Sequence, residues 1–197
     1  KAGILDYKAF CKDILSEIKD KSLSFEVFSD DFSEMERQAL EINSWGENVY
    51  VKIPITNTKQ ETCCELVKKL SNQKVKINIT AIMTLKQVRD VAVSLNPNIP
   101  SYISIFAGRI ADTGTDPLPI MLNALHILKD NPSAELIWAS PRELLNIFQA
   151  DEIGCQIITV TNDILKKLEL VDYNLSLYSL DTVKMFYNDA LAAGYKI

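Results

Sequence analysis

Short runs rich in β-branched and aromatic residues alternate with amphipathic helical stretches from one end of the chain to the other. No other feature constrains the fold as much. The extended runs are residues 23–28, 49–53, 75–82, 102–106, 136–139 and 156–160. Helical spacing marks residues 31–45, 58–70, 85–94, 117–129, 141–149 and 162–168 between and after them, with a first helix over 7–18 and a last over 181–192. Strand–helix alternation of this kind implies parallel strands joined by crossover helices, and hence an α/β fold. The punctuation agrees. Gly46 after Trp45 reads as a glycine ending a helix, and Thr84 with Gln87 fits a capping box. Ser140, Pro141 and Glu143 fit the N-cap, N1 and N3 positions of another helix. No linker divides residues 1–197, which read as a single domain.

Side chains alternate across a strand, so each run can be split into two faces. One face carries Phe25 and Val27, Val51 and Ile53, Ile77 and Ile79, then Ile103 and Ile105. The other carries Ser24, Glu26 and Phe28, then Tyr50 and Lys52, Asn78 and Thr80, and Ser104 and Phe106. An apolar face suits a layer of helices. A second face that repeatedly bears polar groups suits the interior of a barrel, where such groups converge near one mouth. A (β/α)8 barrel takes about 250 residues, so the expectation is a TIM barrel with its first two βα units missing from these 197 residues.

The formal net charge of −5 and pI near 5.0 argue against nucleic acid or an acidic membrane surface as partner. That charge does not draw an anion in, so phosphate binding must rest on a few local arginines. No apolar stretch approaches the roughly 20 residues that span a bilayer. Cys11, Cys63, Cys64 and Cys155 lack the spacing of a tetrahedral metal site and read as scattered reduced thiols. His126 is the only histidine and falls in a helical stretch, which removes histidine-activated nucleophiles and histidine-rich metal sites. Neither GxGxxG nor GxxxxGK[ST] occurs, so nucleotide cofactors lack support.

Lys52 is the sharpest chemical feature. Inside Val49-Tyr50-Val51-Lys52-Ile53-Pro54 it lies mid-strand in a sheet covered on both faces. Burial disfavours the ammonium, and a neutral amine is what attacks a carbonyl to form an imine. The alternative is an edge lysine reaching to solvent. Asn78 and Thr80 can hold a water or a substrate hydroxyl, or be satisfied interior polar groups. Glu26 can serve proton transfer or be an ion-pair partner. Arg109 stands just past a strand end, and Arg142 in the first turn after Ser140. A guanidinium at a helix N-terminus makes a phosphate site; otherwise Ser140 only caps and Arg142 is a surface charge.

These residues resemble the transaldolase family, in particular its small-sized group with fructose-6-phosphate aldolase. "EINSWGENVYVKIPIT" (41–56) is similar to the lysine strand and its approach, and "INITAIMTLKQV" (77–88) to the "N-x-T-x-I-F" strand and following helix. "YISIFAGRIADTG" (102–114) resembles "YISPFVGRIDD-G". The resemblance implies that Lys52 forms a Schiff base with a ketose. It implies that Glu26 and Thr80 place a catalytic water, and that Asn78 and Phe106 face the substrate. Arg109 and Arg142, with Ser140 beside them, would then grip its phosphate. The implied reaction moves a dihydroxyacetone unit from sedoheptulose 7-phosphate to glyceraldehyde 3-phosphate, in the pentose phosphate pathway, without metal or organic cofactor.

The implied setting is a cytoplasmic homo-oligomer acting on small sugar phosphates, with no nucleic-acid or membrane partner. Fructose-6-phosphate aldolase is the nearest alternative. Phe106, where the aldolases carry tyrosine, and Glu26, where they carry glutamine, both favour transaldolase. A non-catalytic sugar-phosphate binding protein is the second alternative. Departures from the pattern are Pro141 and Ile105. The family's catalytic aspartate and its "TTNPS" strand are expected ahead of residue 1.

Overall fold

The six extended runs form one parallel sheet in strict chain order: β1 (Leu23–Glu26), β2 (Val49–Pro54), β3 (Ile77–Ile82), β4 (Ser101–Ile105), β5 (Ala134–Trp138) and β6 (Ile157–Ile158). The computed structural model describes residues 4–194 and 196. Helix α1 (Tyr7–Glu17) precedes the sheet, and α2 (Phe32–Asn43), α3 (Cys64–Asn72) and α4 (Leu85–Ala92) connect the first four strands. Then α5 (Ala107–Ala111) and α6 (Leu118–Leu128) lead to β5, and α7 (Leu145–Glu152) leads to β6. The chain divides into two compact units at Thr159/Val160. The second unit consists of α8 (Asn162–Leu165), a 3₁₀ turn (Lys166–Leu170) and α9 (Leu175–Ala193). Asn174 caps α9 by accepting from the Ser176 and Leu177 amides, and Gly194 closes it in the left-handed conformation.

Alternation along the strands decides the layers. Val51, Ile53, Ile77, Ile79, Ile103, Ile105, Leu136 and Trp138 are buried on one face, in one cluster with Met35, Leu70, Val88 and Met121 of the helices. Each such side chain removed from water contributes about 1.5–3 kcal/mol. Tyr50, Tyr102, Ile137 and Ala139 form a separate cluster on the opposite face. That face is concave. The Tyr102 hydroxyl donates to Ser22 Oγ at 2.9 Å, although β4 lies three strands from β1. In a flat sheet three strand spacings are about 14 Å, beyond the combined reach of a tyrosine and a serine. The sheet is therefore curled into a half-barrel. Among the described residues β1 and β6 each pair on one side only.

Three local expectations require correction. The helix expected over 58–70 starts only at Cys64. Asn57 Oδ1 accepts from the Lys59 and Glu61 amides, Gln60 is left-handed, and Thr56 bridges Thr62, so these residues form a tight turn. The helix expected from Pro141 starts at Leu145, and Ser140 is not its cap. Ser140 has φ +57°, and Asn146 Oδ1 satisfies the Arg142 and Glu143 amides. Gly46 lacks the left-handed backbone of a C′ glycine. Helix α2 ends instead through Ser44, whose N–H bonds to the Leu40 and Glu41 carbonyls. The capping box at Thr84 and Gln87 is present, and α5 was not foreseen.

Candidate active site

The inward residues of the strands stack in tiers along the half-barrel. Lowest is a stacked pair, Tyr50 and Tyr102, with ring centroids 4.0 Å apart and planes 10° from parallel. Burial first, and the neighbouring Tyr102 hydroxyl second, push the Tyr50 phenol upward in pKa. Above it runs a hydrogen-bonded chain across three strands. Ser104 Oγ donates to Asn78 Oδ1 at 2.7 Å, and Asn78 Nδ2 donates to Ser24 Oγ at 2.9 Å. Both ends of the Asn78 amide are thereby engaged, which fixes its orientation.

The upper tier lies toward the C-terminal ends of the strands. Lys52 Nζ donates to Glu26 Oε2 at 3.1 Å, a pairing set by the register that puts Glu26 opposite Lys52. The Lys52 side chain is 29% exposed. It is thus neither sealed inside the sheet nor free in solvent. Thr80 Oγ1 is buried without a hydrogen-bond partner among the described residues. Just beyond it, β3 is bulged between Ile79 and Ile82, and Ala81 takes φ +60°. Bulges of this kind re-aim side chains beside functional sites. A cavity of about 460 Å³ is bounded by Lys52, Asn78, Thr80, Phe106 and Ser140, and floored by Tyr102 and Ile137.

The two arginines stand outside that lining. Arg109 lies within α5, exposed, its guanidinium carbon 5.3 Å from the Phe106 ring centre. Arg142 lies in the loop before α7, paired with Asp112. The two loops interlock: Gly108 N–H donates to the Ala139 carbonyl at 3.3 Å, and a β-carbon on Gly108 would sit 1.5 Å from the Ser140 carbonyl oxygen. Six of the eight expected residues therefore gather about Lys52: Glu26, Asn78, Thr80, Phe106, Ser140 and Lys52 itself. The arginines hold the rim. Sequence reasoning missed Ser24 and Ser104 as site residues. Their signal was available, since each lies two residues before a member of the set and so on the same strand face.

A second cavity of about 470 Å³ lies over α1 and α2, walled by Tyr7, Phe28 and Trp45. Its charged groups pair with one another or with close neighbours: Lys8 is tied to Glu41, and Arg37 to Glu34. Among the described residues no group of three or more His, Cys, Asp or Glu could hold a metal ion. No described helix is long and apolar enough to cross a membrane.

Fold and site together define a class: a parallel βα half-barrel with polar groups gathered at the C-terminal ends of its strands, where enzymes of (β/α) barrel architecture carry their chemistry. The chain belongs to the transaldolase/fructose-6-phosphate aldolase family, whose model matches residues 6–193. A probable transaldolase of Dehalococcoides mccartyi is 32% identical over 169 residues, covering 85% of this chain and 74% of that protein. One of a Thermoanaerobacter species is 32% identical over 184 residues, covering 93% and 79%. A probable transaldolase 2 of Listeria monocytogenes is 32% identical over 163 residues, covering 82% and 71%.

Proposed function

We propose that the protein is a transaldolase that transfers a dihydroxyacetone unit between sugar phosphates through a Schiff base on Lys52. The observation that carries this reading is the Lys52–Glu26 pair beside Thr80 and Asn78 on the concave wall. The Lys52 amine must lose a proton before attack, and the Glu26 carboxylate lies at hydrogen-bonding distance to take it. The neutral amine adds to the ketone carbon of the donor, and loss of water leaves an iminium. That iminium draws the electron pair of the breaking C3–C4 bond, so an aldose phosphate departs and a three-carbon enamine remains on Lys52. The enamine carbon attacks the acceptor aldehyde, and hydrolysis frees the product ketose and the amine.

The Thr80 hydroxyl, without a hydrogen-bond partner among the described residues, supports a bound water as proton carrier, and Asn78, held by Ser24 and Ser104, supports a contact to substrate hydroxyls. Ser140, Arg109 and Arg142 supply the phosphate site. The same proposal includes a closed (β/α)8 barrel, because β1 and β6 have unpaired edges and an eight-stranded ring needs two more strands between them. The proton-transferring aspartate belongs to those units. A cytoplasmic place in the pentose phosphate pathway and self-association of the chain complete the reading.

Fructose-6-phosphate aldolase activity is disfavoured by Phe106, which borders the cavity without a phenol to donate a proton. Borohydride reduction in the presence of fructose 6-phosphate, followed by peptide mapping, tests the assignment. The label is expected on Lys52 and absent from Lys52→Arg; a label on another residue removes the reading. Product analysis with and without an acceptor aldehyde then separates transfer from release.

A further inference from the structure

The loops after β4 and β5 contain a contact that the proposed reaction leaves unexplained. Asp112, at the C-terminal end of α5, meets Arg142 at two points. Arg142 Nε donates to Oδ1 at 2.9 Å, and Nη2 donates to Oδ2. A guanidinium has five N–H groups in a rigid fork. Asp112 takes one from Nε and one from Nη2. Three remain, two on Nη1 and one on Nη2, and they have no partner among the described residues. That remaining edge matches two oxygens of a phosphate. The base of Arg142 is also fixed, since its amide donates to Asn146 Oδ1 at 2.8 Å. Its Nε lies 3.3 Å from where a Gly108 β-carbon would stand, so the side chain rests against the same loop that carries Arg109.

Arg142 is a long side chain, about half exposed, with considerable rotamer entropy to lose when it is held in one pose. Asp112 removes that freedom before any ligand arrives. It also offsets one of the two arginine charges at the rim, so a single net positive charge meets the phosphate. We propose that Asp112 is a positioning residue: it locks the Arg142 guanidinium with its Nη1–Nη2 edge turned out for the substrate's phosphate monoester. This rests on the sugar-phosphate reading of the site above.

The test compares wild type with Asp112→Ala, Asp112→Asn and Asp112→Glu, with fructose 6-phosphate and unphosphorylated fructose as donors. Asp112→Ala is expected to raise KM for fructose 6-phosphate about tenfold, the size of one charge-assisted hydrogen bond. It should leave kcat within about twofold and the response to fructose unchanged. Asp112→Asn, which keeps one acceptor oxygen, should fall between, and Asp112→Glu should recover part of the loss. Equal changes with both sugars, or tighter binding of fructose 6-phosphate, would overturn the proposal, the latter by making Asp112 a competitor for Arg142. If Asp112→Ala does not fold, Asp112→Asn carries the comparison. Calorimetric titration with inorganic phosphate gives a readout independent of the reaction. Should wild type fail to form a trapped adduct at Lys52, the reaction assignment falls, while weaker phosphate binding by the variants would still support Asp112's role and unchanged binding would refute it.

Discussion

Gly108→Ala probes the junction on which the rim of the site depends. A β-carbon there would lie 1.5 Å from the Ser140 carbonyl oxygen and 2.6 Å from its carbonyl carbon. Both are backbone atoms, so no rotamer change relieves the overlap. Ordinary van der Waals separation requires the two loops to part by roughly 2 Å. Parting breaks the Gly108-to-Ala139 hydrogen bond, strains the 3.3 Å bond from the Ser140 amide to Thr159, and displaces Arg142. Overpacking of this kind costs about 1–3 kcal/mol, and backbone against backbone belongs at the upper end. At 2–4 °C per kcal/mol for a domain of this size, Tm should fall by roughly 6–12 °C. Gly114→Ala is the comparison, with φ +79° but nothing within 4 Å of the added carbon. It carries backbone strain alone, about 1–2 kcal/mol, and should leave phosphate binding intact. Differential scanning calorimetry with phosphate titration reads both. A Tm loss below roughly 2 °C for Gly108→Ala would refute the interlocked-loop argument.

Two further outcomes follow from strain and burial. Ala81→Gly relieves a left-handed alanine at the β3 bulge, and the gain should exceed the added unfolded-state entropy, for a net stabilisation of up to about 1 kcal/mol in denaturant titration; a clear destabilisation would show that the bulge is held by packing rather than strained. The Cys63 thiol is pushed up to about 12, by burial first and then by the neighbouring Cys64 and Asp30. Its folded pKa lies above its unfolded value, so the neutral thiol's contribution is complete below about pH 9 and is lost as pH rises toward 12. The denaturation midpoint should therefore decline from about pH 8 to about pH 10 in wild type, and Cys63→Ala should flatten that decline; an equal decline in both would assign the effect elsewhere.

What the sequence made legible was whatever depends on alternation within one strand. Val51 and Ile53 on one side of β2 and Tyr50 and Lys52 on the other follow from period two alone, as do Asn78 with Thr80 and Ser104 with Phe106. That parity placed five of the site residues, Glu26, Lys52, Asn78, Thr80 and Phe106, on a single wall. It could not indicate that the wall is bent far enough for Tyr102 to reach Ser22, because curvature is a property of the assembled sheet. Nor could it reveal that Lys52 faces Glu26, since that pairing depends on the register between β1 and β2. The shift of helix starts at 58–63 and 141–144 has another cause. Asn57 and Asn146 side chains accept from nearby backbone amides and hold those segments in tight turns, and a short polar side chain competes with a helix in this way without any periodic signature.

The rim shows why loops resist such reading while carrying specificity. Ser140, Pro141 and Glu143 satisfy every local preference of a helix start, yet the chain turns left-handed at Ser140. The competing contact lies 32 positions away in sequence, where Gly108 leaves room for the Ser140 carbonyl. The same displacement takes Arg142 out of a helical first turn and puts it within reach of Asp112. A helix N-terminus offers a phosphate several amides and a partial charge, whereas the observed arrangement offers a guanidinium edge braced by a carboxylate. These two designs respond differently to salt and to substitution. A dipole site would tolerate loss of Asp112 and depend on Ser140 as a cap. A braced arginine makes Asp112 matter, so phosphate binding by Asp112→Ala separates the two designs: a clear loss supports the brace, and unchanged binding supports the dipole.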